Sequence, residues 1–374
     1  MLSPDKFYNL LKKSGFKFFT GVPDSLLKDF CAYVSDHSTS NDHIIAANEG
    51  NAVALAAGHY LGNKSPALVY MQNSGIGNAV NPLLSVADAE VYSFPMLLMI
   101  GWRGEPSVKD EPQHMKQGRV MPQLLDALEI PWFTLDAQSD ADDILKQAVT
   151  SMMKNMSPIA LLVRKGTFEQ YKPQPSFHLN YPMSREQAIQ NIVDALADSD
   201  IIVSTTGMAS RELYEYRVAQ GSDLNKDFLT VGAMGHASSI AMGLANTQKK
   251  RRVFCIDGDG SVIMHMGSLA LVGQIAPSNL VHIVINNGAH DSVGGQPTAG
   301  FNIDLVSIAN ACGYKKTDCV TTVQELTLFL ASNLYVDGPI FLEIRVKTGS
   351  RVNLGRPKTT PIENKDAFMR RLGY

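Results

Sequence analysis

At 374 residues, 45% of them hydrophobic and 18% charged, the chain has material for two or three domains with sizeable cores. Its net charge of −3 at pH 7 excludes the basic balance of a dedicated nucleic-acid binder. Cys31, Cys255, Cys312 and Cys319 form no Cys-x-x-Cys pair and no zinc spacing, the opening residues carry no signal-peptide core, and no apolar run approaches membrane-spanning length; a cytoplasmic protein with reduced thiols is expected.

In chain order, a short strand is predicted over 16–21, and Pro23-Asp24-Ser25 supplies capping residue types that start a helix. Strand-like runs recur at 43–46, 66–71, 96–100 and 159–163, with helical patterns between them. Ala46-Ala47-Asn48-Glu49-Gly50-Asn51 leads into an Ala- and Gly-rich helix over 52–59, and on charge pattern alone Glu49 is a first-turn acid favoured by the helix dipole. Gly75-Ile76-Gly77 follows a strand, but Val80 stands where a dinucleotide fingerprint needs its third glycine, so NAD binding is discounted and a tight turn at a ligand edge is expected. Residues 102–119 mix Arg103, Lys109, His114, Lys116 and Arg119 with Glu105, Asp110 and Glu111, which by charge describes a solvated loop.

A polar, Pro- and aromatic-rich stretch over 166–182 has the composition of an interdomain linker. The second half repeats the theme, with a strand over 200–204, then Thr205-Thr206-Gly207 and a helix from Ser210. Such alternation favours mostly parallel sheets with helices on both faces. Two α/β domains are expected, 1–168 and 183–374, joined by a linker over 169–182 that leaves no room for a third.

The most informative pattern lies in the second domain. Gly258-Asp259-Gly260-Ser261 follows the apolar run 253–256, and Asn286-Asn287 follows the run 281–285, with Asp259 28 positions before Asn287 and a helical stretch over 262–275 between them. Asp-Gly and Asn-Asn are each ordinary turn dipeptides. Placed together at the carboxyl edge of a parallel sheet, they bring a carboxylate and an amide oxygen beside a helix N-terminus, which suits Mg²⁺ bridged to a diphosphate.

This pairing resembles the thiamine diphosphate signature, and the Asn48-Glu49-Gly50 context resembles the one in which that family carries its activating glutamate. The whole chain is similar to the thiamine diphosphate-dependent 2-oxo acid decarboxylases, and within them to the phosphonopyruvate decarboxylases, through residues 21–27, 101–106, 110–114 and 292–298. Sulfopyruvate decarboxylases, often split into two subunits, are the next resemblance. The likeness implies two thiamine diphosphate-binding folds, the pyrimidine-binding domain first and the diphosphate-binding domain last, with no middle domain. It implies Mg²⁺ on Asp259, Asn287 and the Ala289 carbonyl, diphosphate contacts from Gly258, Gly260 and Ser261, and cofactor contacts from Thr205, Thr206, Gly207 and Gly232. Met234 would support the cofactor in a bent form, and Glu49 would form the C2 ylide through N1′ of the aminopyrimidine. Asp24 and His114 are candidates for proton transfer; Arg103, Lys109, Arg351 and Arg356 are candidates for gripping an anionic tail. The implied reaction takes 3-phosphonopyruvate through an enamine to phosphonoacetaldehyde and CO₂, in phosphonate biosynthesis of the 2-aminoethylphosphonate type. Sulfopyruvate is the alternative substrate, and a non-catalytic thiamine diphosphate-binding subunit the distant one. A homodimer or larger homo-oligomer with the site between subunits is implied, with no nucleic-acid or membrane partner.

Overall fold

Short aliphatic runs, each followed by a helical pattern, build two parallel sheets. The computed structural model describes residues 1–174, 181–333 and 336–374. The chain divides into two units, Met1–Ser176 and Phe177–Tyr374. Residues 175–180 of the expected linker lie outside the described residues.

The first unit holds β1 (Phe18–Gly21), β2 (His43–Ile45), β3 (Ala67–Gln72), β4 (Met96–Gly101), β5 (Trp132–Leu135) and β6 (Ile159–Val163). These form one six-stranded sheet in the order β2-β1-β3-β4-β6-β5, every pair parallel. The second unit holds β7 (Ile201–Ser204), β8 (Asp227–Leu229), β9 (Val253–Gly258), β10 (Leu280–Asn286), β11 (Lys316–Val320) and β12 (Ile340–Arg345). Its order, β8-β7-β9-β10-β12-β11, is the same topology again, and again every pair is parallel. In both sheets the direction of winding reverses beside the first strand, where an open parallel sheet leaves a crevice at its carboxyl edge.

Alternation along the central strands feeds two cores per sheet. Leu68, Tyr70, Leu97 and Met99 pack with Phe7, Leu11, Phe30 and Leu145, while Val69, Met71, Leu98 and Ile100 face Ala52, Val53, Ala56 and Leu125. In the second unit Phe254, Ile256 and Ile283 join Ile189, Leu213 and Leu326, and Val253, Cys255 and Val284 join Ala241, Val272 and Leu305. Covered on both faces, such strands are continuous apolar runs, and this is why β3, β4, β6, β9 and β10 were visible in the sequence. The four cysteines are free thiols. Among the described residues no helix is long and apolar enough to cross a membrane.

Several local expectations are corrected. The helix expected to start at Pro23-Asp24-Ser25 is Lys28–His37, because the Asp24 carboxylate accepts the Leu26 N–H at 2.8 Å and holds a turn first. The loop expected over 102–119 ends in a helix, Pro112–Ala127, with His114 in its first turn. The single helix over 262–275 is two, Asp259–Met264 and Gly267–Ile275, separated by His265 and Met266.

Close packing of the second of these helices makes a prediction with a non-obvious sign. Gly273 lies within Gly267–Ile275, where alanine would gain roughly 1 kcal/mol of helix propensity. A methyl there would overlap the carbonyl oxygen of Cys312, a backbone atom that cannot swing away. Gly273→Ala is therefore expected to destabilise the protein by about 1–3 kcal/mol, read as a lowered urea midpoint at unchanged slope. A raised midpoint would show that propensity outweighs the overlap.

Candidate active site

In the first unit the carboxyl edge gathers Glu49, Asp24, Arg103 and His114. Glu49 is the first residue of Glu49–Asn63, whose Asn48 cap accepts the Asn51 N–H at 2.9 Å. Its side chain is 5% exposed and takes one side-chain hydrogen bond, from Asn78 Nδ2 to Oε2 at 2.7 Å. Burial raises its pKa above the ordinary carboxylate value, and the Asn78 bond offsets only part of that rise. Gly75 explains how the carboxyl reaches this place: any Cβ at that position would overlap the Glu49 side chain. Gly75 thus serves Glu49, whereas Gly77 borders open space, and Asn78, which the sequence reading missed, stands one residue beyond.

Asp24 is fully buried, and its Oδ1 has no hydrogen-bond partner among the described residues. Desolvation pushes its pKa up to about 6, against the Leu26 N–H and the nearby Arg103 charge. Gly101 has no side chain because Asp24 fills that space. Arg103 is held on all sides: its guanidinium pairs with both oxygens of Asp110 and donates to Ser25 Oγ at 2.7 Å, and its backbone exchanges hydrogen bonds with the buried Asn73 side chain at 2.8 and 3.1 Å. His114 is buried with Nδ1 unpartnered among the described residues, and burial together with Arg103 lowers its pKa to about 4, so the imidazole is neutral at working pH. Lys109 is exposed.

In the second unit four strand ends meet. Asp259 opens the helix Asp259–Met264, is 2% exposed, and accepts the Thr298 hydroxyl on Oδ2. Desolvation pushes its pKa up to about 6, despite Thr298 and the N–H groups of Asp259, Asn287 and Gly260. Gly300 is another cradle, since a Cβ there would crowd both Asp259 Oδ2 and Asn286 Oδ1. Asn287 offers Oδ1 to the Ala289 N–H at 3.2 Å and donates Nδ2 to Asp291 at 2.7 Å. The hydrogen bonds His290 N–H to Gln296 O and Thr298 N–H to Gly288 O, at 2.8 and 2.9 Å, flank Ala289 and leave its carbonyl out of that pair.

Ser261 ties this loop to its neighbours: its hydroxyl lies 3.2 Å from Thr205 Oγ1 and accepts the Gly235 N–H at 3.0 Å. Thr206 Oγ1 accepts the Gly232 N–H at 3.1 Å. Gly207, with φ 97°, faces the Ser292 hydroxyl. Around the half-buried Met234, Gly232, Ala233 and Gly235 all take positive φ (74°, 47° and 89°), and Ala233 pays the steric cost of that conformation to set the turn. The C-terminal arginines sit differently. Arg351 pairs with Glu186 at 2.8 Å and with Glu215, while Arg356 is exposed.

Asp259, Asn287 and the Ala289 carbonyl form an all-oxygen donor set beside amide N–H groups of a helix start. That set fits Mg²⁺ carrying a diphosphate: the ion takes oxygen ligands, and a cation would offset the desolvation that raises the Asp259 pKa. A second group able to hold a metal, Cys255, Asp257 and His282, lies buried on β9 and β10. It includes a sulfur that suits softer ions, and His282 already faces Asp257 at 3.6 Å and Tyr314 at 3.0 Å. Thr298, Asp291, Asn78 and Asn73 were missed in the sequence; only Thr298 fell inside a segment singled out there.

The thiamine pyrophosphate enzyme N-terminal TPP binding domain matches residues 4–130, and the C-terminal TPP binding domain matches residues 205–344. The chain is 36% identical to the phosphonopyruvate decarboxylase of Streptomyces viridochromogenes, over 92% of this chain and 88% of that one. It is 35% identical to the phosphonopyruvate decarboxylase of Streptomyces hygroscopicus, over 92% and 87%. Identity to the sulfopyruvate decarboxylase of Methanosarcina acetivorans is 29%, over 84% and 83%. With the two sheets, the chain belongs to the thiamine pyrophosphate enzymes, as a thiamine diphosphate-dependent carboxy-lyase of the phosphonopyruvate decarboxylase type.

Proposed function

We propose that this chain decarboxylates 3-phosphonopyruvate to phosphonoacetaldehyde and CO₂ in the cytoplasm, with Mg²⁺ and thiamine diphosphate, in phosphonate biosynthesis of the 2-aminoethylphosphonate type. The observation that carries the substrate choice is the match to two phosphonopyruvate decarboxylases along 92% of the chain, at higher identity than the sulfopyruvate decarboxylase matched over a comparable length; a sulfopyruvate decarboxylase subunit reaches 42% identity, but over only 38% of the chain. When bound, thiamine diphosphate supplies the electron sink for the pair left by departing CO₂. The chain's own residues do the rest. Asp259, Asn287 and the Ala289 carbonyl hold Mg²⁺. Gly258, Gly260, Ser261, Thr205, Thr206, Gly207 and Gly232 surround the diphosphate and ring system, with Met234 as the apolar support.

Burial raises the pKa of the Glu49 carboxyl, which favours its holding a proton, and Glu49 would hydrogen-bond N1′ of the aminopyrimidine. Asp24, pushed up to about 6, is the group able to give and take protons near neutrality, and the neutral His114 is available there as an acceptor. Arg103, Lys109, Arg351 and Arg356 remain the proposed cations for the substrate's tail; Arg103 and Arg351 would have to exchange carboxylate partners to reach it. The domains follow the boundaries 1–168, 169–182 and 183–374, and the working form is a homodimer or larger homo-oligomer, with Glu49 of one subunit serving the metal site of another.

CO₂ release with phosphonopyruvate, sulfopyruvate and pyruvate compared side by side tests the reading. A kcat/KM strongly favouring phosphonopyruvate is expected, and Glu49→Gln should lower turnover ~10²–10⁴-fold. Preference for sulfopyruvate would overturn the substrate, and near-normal turnover of Glu49→Gln would overturn that residue's role.

Mixing Glu49→Gln with Asp259→Ala, each inactive alone, tests the shared site. In a dimer whose sites draw on both subunits, random reassociation restores roughly a quarter of wild-type activity. No recovery after demonstrated exchange of subunits would place both residues in one chain.

Asp259 gives a prediction of opposite signs for stability and function. A carboxyl raised to about 6 on folding is no burden below the unfolded value, and costs the metal-free fold progressively as pH rises through 6. Asp259→Asn should thus stabilise the metal-free protein at pH 8 by up to roughly 3 kcal/mol, while Mg²⁺-dependent cofactor binding is lost. A lowered thermal midpoint at pH 8, or calorimetric titrations unchanged from wild type, would contradict it.

A further inference from the structure

We propose that Asp291 is a positioning residue for the metal: its carboxylate captures the NH₂ end of the Asn287 amide, so that the oxygen end is presented to Mg²⁺. This rests on the reading of Asn287 as a Mg²⁺ ligand given above. A side-chain amide has two ends of similar shape and opposite use. Its oxygen binds a cation, and its NH₂ repels one. Asn287 is 6% exposed, so water does not choose the orientation.

Asp291 does choose it. Asn287 Nδ2 donates to Asp291 Oδ2 at 2.7 Å, and an ionised carboxylate only accepts hydrogen bonds, so it must face the nitrogen. The opposite end, Oδ1, then accepts the Ala289 N–H, next to the carbonyl proposed as a further ligand.

Asp291 is itself immobilised. The same Oδ2 accepts Arg185 Nη1 at 3.0 Å and the Gly349 N–H at 3.0 Å. Arg185 is buried and grips Glu212, at 1% exposure, through two further bonds of 2.8 and 3.0 Å. Arg185 begins the helix Arg185–Ala195, and Glu212 lies on Met208–Ala219, the helix that follows the Thr205-Thr206-Gly207 turn. One carboxylate oxygen thus joins the Asn287 amide to two helices and the backbone at Gly349. Outer partners of this kind, which fix the orientation of a metal ligand, are worth about 10–100-fold in metal affinity.

The test is calorimetric titration of Mg²⁺ into the full-length protein at saturating thiamine diphosphate, which reads binding without turnover. Asp291→Ala is expected to weaken Mg²⁺ about 10–100-fold. The discriminating measurement repeats that substitution in an Asn287→Asp background. A carboxylate offers oxygen at both ends and needs no orientation, so there the loss should shrink to about twofold or less, a non-additivity that general damage to the fold would not produce.

Asp291→Asn keeps the volume and one acceptor, and should give a smaller loss that also vanishes in the Asn287→Asp background; it carries the comparison if Asp291→Ala does not fold. Equal losses in both backgrounds would reduce Asp291 to a structural role and overturn the proposal. If Asn287→Ala weakens Mg²⁺ while Asp291→Ala does not, the positioning role alone falls. If Asn287→Ala leaves Mg²⁺ affinity unchanged, the ligand reading beneath it falls as well.

Discussion

Removing carboxylates from water is costly, and the way each unit responds to that cost sets the chemistry of its edge. An isolated buried carboxylate costs several kcal/mol unless it finds a cation, finds hydrogen bonds or keeps its proton. Asp259 receives a hydroxyl from Thr298 and N–H groups from a helix start, yet its pKa remains raised, so the protein donors do not fully repay desolvation. A divalent cation at the proposed site would complete the compensation. Glu49 is buried to a similar degree but is given fewer donors, the Asn78 amide and its own backbone N–H. The same cost raises its pKa, which favours the protonated form. One force thus acts on both carboxylates, the one proposed as a metal ligand and the other as an acid.

Both carboxylates reach their positions because the two units share a topology. Glu49 begins the helix after β2, and Asp259 the helix after β9, each at the carboxyl edge of a parallel sheet. The loop after β3 in the first unit, with Gly75, corresponds in strand order to the loop after β9 in the second, with Asp259. The corresponding loops were put to different uses: the first gave up its side chain to make room for Glu49, and the second carries the carboxylate. Glycine has a steric role in both, since Gly75 leaves space for Glu49 and Gly300 leaves space for Asp259.

This division explains what the sequence could reveal. Gly258-Asp259-Gly260 and Asn286-Asn287 were legible because ligand and strand end are adjacent in the chain, and the strands before them are buried on both faces. Of the edge strands, β2 was legible and β5, β8 and β11 were not. β5, β8 and β11 are short or half exposed, and the interior strand β12 was missed because Glu343 interrupts it, so none forms an unbroken apolar run. The partners of the site residues were hidden for a different reason. Asn78 lies 29 positions from Glu49, and Thr298 lies 39 from Asp259; no local periodicity connects residues so far apart. His114 was assigned to a loop because charge density suggested solvent, whereas Pro112 in the first turn was the better signal of a helix.

The same blindness to distant partners bears on the cations. Counting arginines suggests a strongly positive grip on an anionic substrate, but charge in a folded chain is local. Arg351 meets Glu186, 165 positions away, and Glu215, 136 away, and neither pairing is visible in its own Gly-punctuated segment. Arg103 is fastened to Asp110, which also accepts the Gly104 and Glu111 N–H groups at 2.8 and 2.7 Å and so maintains the shape of the turn. A phosphonate that took Arg103 from Asp110 would gain a charge-assisted pair and lose the tether that orders the turn. Such an exchange favours a tail whose charge exceeds that of the carboxylate it displaces. On this argument a phosphonate dianion competes better than a singly charged sulfonate, and discrimination between the two would come from the carboxylate already in place as much as from the arginine it holds.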